Sequence, residues 1–272
     1  MPVGAVRPIE DGPLVGWPLM AWPWRDLRAR LAGQPSAVGG GFHLWWKGLG
    51  VDEPIVACSV VLEVLRPPSV PALYFWALQA SFLDEIGVSY GTAHTGLQWN
   101  ARHPGGRAVN WGGYALAADV GSVLDGTASL LPGIPGDRNT RTFAWREQVP
   151  YRFTIHRGAL GWAATVTDLV TGSEVTIREL LAGGDRLGGF VMWTELFCRG
   201  SDPTTAVRWS QPEVLTRSGR RLAPAGLQVT FPGGDEWRRL DVVVDEVGVQ
   251  QITDVTRTIQ HQATVPLARR DP

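Results

Sequence analysis

From residue 42 to residue 265 the chain is a series of short apolar runs broken by Gly, Pro and Asp, too closely punctuated for helices. The clearest runs are 42–46, 55–65, 73–82, 96–101, 151–157, 161–170, 174–180, 190–198, 227–231, 239–247 and 256–265. In the segment 151–156, Tyr151, Phe153 and Ile155 fall on one side of an extended chain and Arg152, Thr154 and His156 on the other. The runs 162–170 and 174–180 are joined through Thr171-Gly172-Ser173, a hairpin with glycine at the turn. By contrast, 190–198 is apolar on both sides, as a central strand covered by a second sheet should be.

This pattern predicts an all-β protein, an antiparallel β-sandwich of jelly-roll type with little helix. One helical stretch is expected near the start, Trp24–Leu31, closed by Gly33. The glycine pairs 105–106 and 112–113 and the stretch 121–136 read as long loops. The polar segment 199–226, with Pro203, Pro212 and Pro224, reads as a linker or a long crossover. Residues 1–54 are expected to form a Trp-rich segment packing on the sandwich, and 55–272 the sandwich itself, with 227–265 as its C-terminal strands. No repeat of fixed period is visible, which argues against a propeller.

Composition narrows the function classes. A formal net charge of −1 without a basic run removes the electrostatic footprint of a nucleic-acid binder. No apolar run approaches the roughly 20 residues of a membrane span, and Arg7, Glu10 and Asp11 interrupt the place of a signal-peptide core. A cytoplasmic address is the expectation, with a small molecule as partner and neither nucleic acid nor membrane. Cys58 and Cys198 both lie in apolar runs and read as buried thiols. The chain holds 13 Trp against 8 Phe and 4 Tyr, an excess that suits an aromatic-lined site.

The middle of the chain, roughly residues 55–215, resembles a bacterial family of unknown function with a concanavalin-like lectin/glucanase sandwich. The residues carrying the likeness are Tyr74-Phe-Trp76, Gly96-Leu-Gln-Trp-Asn100, Trp145 with Tyr151-Arg-Phe153, the 166–172 hairpin and Gly188-Gly-Phe190. The resemblance implies the fold and, by analogy, sugar binding; it brings no catalytic residues with it.

A glucanase of that fold needs two carboxylates on one strand face, whereas Asp84–Glu85 and Asp235–Glu236 are adjacent residues that would point to opposite faces. The five histidines lack metal-pair spacing, and there is no P-loop, Rossmann fingerprint or nucleophile elbow. Neither a metal nor an organic cofactor is therefore expected. Extended, 94–100 puts His94, Gln98 and Asn100 on one side, which makes either a groove lining or a solvent-facing strand. Glu195 shares a strand face with Val191, Trp193 and Phe197, where desolvation would tune a carboxyl for acid–base work. The alternative is a structural ion pair, for example with Arg152. Glu195 and His94 are thus the candidate catalytic groups, and Gln98, Asn100, Trp193, Trp111, Tyr74 and Trp76 the candidate substrate-binding ones. Trp17, Trp22, Trp24, Trp45 and Trp46 would close a pocket end or clasp the N-terminal segment to the sandwich. Two functions fit: a cofactor-independent cyclase or isomerase acting on an apolar small molecule, or a carbohydrate-binding module without catalysis.

Overall fold

Strand β1 (Gly40–Lys47) sets the rule for the fold: Phe42, Leu44 and Trp46 enter the core, while His43 and Trp45 face away from it. In the computed structural model, residues 40–267 are described apart from 71, 101–102, 104–105, 116–121, 135–136, 198–203 and 235–236. The predicted helix and Trp17, Trp22, Trp24 and Cys198 lie outside the described residues.

Two antiparallel sheets face one another. The front sheet runs in the order β17 (Thr264–Pro266), β14 (Gly226–Thr230), β1, β11 (Arg186–Leu196), β3 (Tyr74–Leu83), β4 (Ser89–Trp99), β5 (Arg107–Ala115), β7 (Asp137–Thr142) and β6 (Gly133–Ile134). The back sheet runs β15 (Leu240–Val244), β16 (Val249–Thr253), β12 (Ala206–Thr216), β2 (Ile55–Arg66), β8 (Pro150–Arg157), β9 (Trp162–Asp168) and β10 (Glu174–Leu180). The short β13 (Arg221–Leu222) lies against the end of β12, and the pair Leu187–Ile55 joins the two sheets at one corner. The expected all-β antiparallel sandwich is what forms.

Tryptophan fills the space between the sheets. Trp76, Trp111, Trp145, Trp162 and Trp209 are fully buried, and Phe82 of the front sheet stacks on Trp162 of the back at 5.4 Å. Each such ring removes a large apolar area from water, and its N–H needs an acceptor. The Trp111 indole donates across the core to the Trp162 carbonyl at 3.1 Å. One polar side chain sits at the centre. Gln251 of β16, with no exposed surface, accepts from Trp209 Nε1 (2.8 Å) and Thr194 Oγ1 (2.9 Å) and donates to the Phe42 carbonyl (2.7 Å). This one amide ties β16 and β12 of the back sheet to β11 and β1 of the front.

Several strands stand where loops or a linker were expected. β5 runs through Gly112 and Gly113, where a Cβ would fall 2.4 Å from Asn139 and 2.2 Å from the Thr92 carbonyl oxygen. Glycine here marks close packing within a strand rather than a turn. β12 occupies the middle of the segment 199–226 and carries Pro212 at a bulge, where Gln211 adopts φ 52° and the register to β2 shifts. The run 256–265 is a strand only at Thr264–Pro266, because the Asp241 carboxylate binds the Thr258 and Ile259 N–H groups and the Thr258 hydroxyl in an irregular loop.

Replacing Gln251 by Leu leaves an indole N–H, a hydroxyl and a carbonyl buried without that amide, so stability should fall by on the order of 3 kcal/mol, read from urea unfolding. Cys58, buried and with its thiol pKa pushed up by desolvation, should stay unlabelled by maleimide in the native protein and react on unfolding, as peptide mapping would record.

Candidate functional site

Strand pairing turns the outer face of the front sheet into a grid. One rung reads Gly41, Glu195, Phe75, Gln98 and Ala108, and the next His43, Trp193, Ala77, Gly96, Asn110 and Thr140. A third reads Trp45, Val191, Gln79, His94 and Gly112. Phe75, Ala77, Val191 and Trp193, with Trp45 against them, form an apolar cluster separate from the main core. The centre of the grid is low, because Ala77 and Gly96 stand side by side. A Cβ at Gly96 would lie 1.8 Å from the Trp76 carbonyl oxygen, so glycine alone fits. Three rings lean over this floor: His94 lies 5.4 Å from Phe75 and 5.6 Å from Trp193, and Phe75 lies 6.2 Å from Trp193.

Beyond the rings the face turns polar. A small pocket of about 20 Å³, room for one water-sized group and partly open to solvent, is lined by Leu73, Phe75, His94, Gln98, Asn110, Tyr114, Asp137, Asn139, Thr140 and Phe197. Gln98 and Asn110 are 3% and 5% exposed, and Gln98 Oε1, Asn110 Oδ1 and Asp137 Oδ2 are buried without a hydrogen-bond partner. The neighbouring atoms are held firmly. Asn110 Nδ2 donates to Thr140 Oγ1, and Asp137 Oδ1 accepts from the Asn139 and Thr140 N–H groups. From the core side, the Trp145 indole donates to the Gln98 carbonyl at 3.0 Å.

Burial sets the protonation states. It pushes His94 and His43 down to about 4, so both imidazoles are neutral at pH 7. Tyr114 is raised to about 12, first by desolvation and then by the negative charges of Glu195 and Asp137.

The structure brings His94, Gln98, Glu195 and Trp193 onto one face, together with Phe197 beside the pocket. Asn100 is buried at the following hairpin, where its N–H donates to the Gly106 carbonyl. Tyr74, Trp76 and Trp111 point the other way, into the inter-sheet core, so they back the site rather than wall it. Arg152 does not pair with Glu195: it lies on the back sheet and donates to Gln211 Oε1. Asn110, Tyr114, Asp137, Asn139 and Thr140 were not anticipated. The alternation of Asn110 and Tyr114 with Val109 and Trp111 marks β5 once the glycines are accepted inside a strand. Among the described residues no group of three or more His, Cys, Asp or Glu is placed to hold a metal, and no helix is long and apolar enough to cross a membrane.

No protein-family model matches the chain, and no curated protein does. Solved structures similar to it include scytalido-glutamic peptidase with a transition-state analog inhibitor, at 14% identity and TM-score 0.44, covering 80% of this chain and 98% of that one. SCP-B, a member of the eqolisin family of peptidases in complex with the tripeptide Ala-Ile-His, matches at 13% identity and TM-score 0.42 with the same coverage. The enzymatically active domain of bacteriophage CBA120 tailspike protein 2 matches at 13% identity and TM-score 0.31, over 71% of this chain and 24% of that one. At these values no activity passes from them to this chain.

The histidines give the fold a pH signature. Their folded pKa values lie below the unfolded value, so the unfolded chain binds more protons as pH falls from about 6.5 towards 4, and stability drops over that window. Each imidazole contributes a slope of about 1.4 kcal/mol per pH unit at most. Urea midpoints between pH 7 and pH 4.5 should record the fall, and His94→Asn should reduce it by one imidazole's share.

Proposed function

We propose that the outer face of the front sheet is the active site of a cofactor-independent enzyme that moves protons on an apolar small molecule, in the manner of an isomerase or cyclase. Glu195 is the observation that carries this reading. Its carboxylate stands on a strand face shared with Val191 and Trp193, on the side of the sheet away from the inter-sheet core, directly across from Phe75 on the neighbouring strand. A carboxylate among rings, on the face away from the inter-sheet core, has the surroundings that tune a carboxyl for acid–base work.

In this reading Glu195 takes a proton from the substrate and returns it to another position, which changes the bonding without changing the oxidation state. His94, neutral at pH 7, offers a hydrogen bond to the group that gains charge. Gln98 and Asn110 orient the polar end, and the pocket-lining rings of Phe75 and Tyr114 contact the apolar body and stabilise positive charge that develops beside them. The unpartnered oxygens of Gln98 and Asn110 also suit sugar hydroxyls, which supports a carbohydrate-binding module as the second reading. Against it, Trp193 is buried, and none of the described tryptophans is exposed enough to offer a flat platform to a sugar ring.

Glu195→Gln, nearly isosteric, should preserve the melting temperature and lower turnover of a substrate found by small-molecule screening by roughly a hundredfold or more. A lowered melting temperature with turnover intact would make Glu195 structural and end the catalytic reading.

A further inference from the structure

The pocket beside the ring cluster has a chemical bias beyond that reading. Three acceptor oxygens line it without hydrogen-bond partners: Gln98 Oε1, Asn110 Oδ1 and Asp137 Oδ2. They come from three strands, β4, β5 and β7, and two belong to side chains at least nine-tenths buried. A buried acceptor left without a donor costs free energy, and such groups in folded proteins call for an explanation. Three neighbouring donors are committed elsewhere: Asn110 Nδ2 is on Thr140 Oγ1, and the Asn139 and Thr140 N–H groups are on Asp137 Oδ1.

Charge points the same way. Asp137 and Glu195 both act on Tyr114, raising its pKa after desolvation has done so, so two carboxylates stand near the pocket wall. His94 is neutral at pH 7, and burial also lowers His103, partly opposed by Asp137. The nearby cations are turned to other acceptors. Arg178 binds the Trp111 carbonyl and Asn139 Oδ1, and Arg141 binds the Thr140 carbonyl. Neither lines the pocket. Phe75 and Tyr114 add aromatic walls, which favour a cation over a neutral group.

We propose that this pocket binds a primary ammonium group, its three N–H donors meeting the Gln98, Asn110 and Asp137 oxygens while the attached apolar body lies against the lining residues Leu73, Phe75 and Phe197. The substrate class is then an amine with an aromatic or branched aliphatic body. This rests on the reading of the face as a small-molecule site, and is independent of the chemistry assigned to Glu195.

The test compares three probes on the full chain by isothermal titration calorimetry at pH 7: 2-phenylethylammonium, 2-phenylethanol and 3-phenylpropionate. The ammonium should bind at least about tenfold more tightly than either of the others, as charge-assisted hydrogen bonds are the stronger kind. Asp137→Asn keeps an oxygen for the Asn139 and Thr140 N–H groups while removing the charge, and should cut ammonium affinity about tenfold with little effect on the alcohol. Should that variant fail to fold by circular dichroism, Gln98→Met, which removes one acceptor from a strand interior, decides the matter with a several-fold loss. Equal or tighter binding of the alcohol or the carboxylate overturns the proposal, as does absence of ammonium binding at millimolar concentration. So does unchanged ammonium affinity in the folded variants. Selective ammonium binding with no turnover of any amine would remove the catalytic reading and leave this one standing. Turnover of a neutral substrate without ammonium selectivity would do the reverse.

Discussion

The sandwich depends on how its two sheets are locked in register, and the lock is one buried amide. Apolar packing alone is indifferent to small slides of one sheet over the other, because it rewards area and has no direction. Gln251 is directional: its oxygen has two donors and its nitrogen one acceptor, drawn from both sheets. Thr194, one of those donors, immediately precedes Glu195 on β11 and points into the core while Glu195 points out. Phe42, whose carbonyl takes the amide N–H, likewise immediately precedes His43. A polar network buried this deeply favours a single arrangement because every alternative strands a polar group. The outer face inherits its geometry from that inner bond.

The period of two along each strand explains how much of this was legible in the sequence. Where apolar and polar residues alternate, as in 151–157, the face assignment follows at once. The doubly apolar run 190–198 announced a strand packed on both sides, and Glu195 stood out within it for that reason. His94 and Gln98 could be set on one face by parity alone. Tyr74 and Trp76 could not, because Phe75 between them is aromatic too and the alternation gives no hint of which side is core. They went inward, and Phe75 went to the site.

The remainder was hidden for two physical reasons. Glycine usually signals a turn, but in β5 it relieves crowding against Thr92 and Asn139, so the strand bearing Asn110 and Tyr114 reads as a loop. Strand neighbours are the other hidden quantity. Nothing local places Arg152 on the sheet opposite Glu195 or Asp137 beside Gln98, since those pairings join residues about forty positions apart. Half of the site is therefore a property of a strand and half a property of the topology.

The bond from the Trp145 indole to the Gln98 carbonyl reaches further than its strength suggests. With Arg107 stacked over that indole at 5.0 Å and Asp137 held by two backbone N–H groups, the polar wall is set before anything arrives. A partner entering it orders little of the protein, so the entropy of association is lost almost wholly by the partner itself. Rigid, flat molecules lose least on entering such a wall. Among related partners of this face, differences in affinity belong to the rate of leaving rather than the rate of arrival.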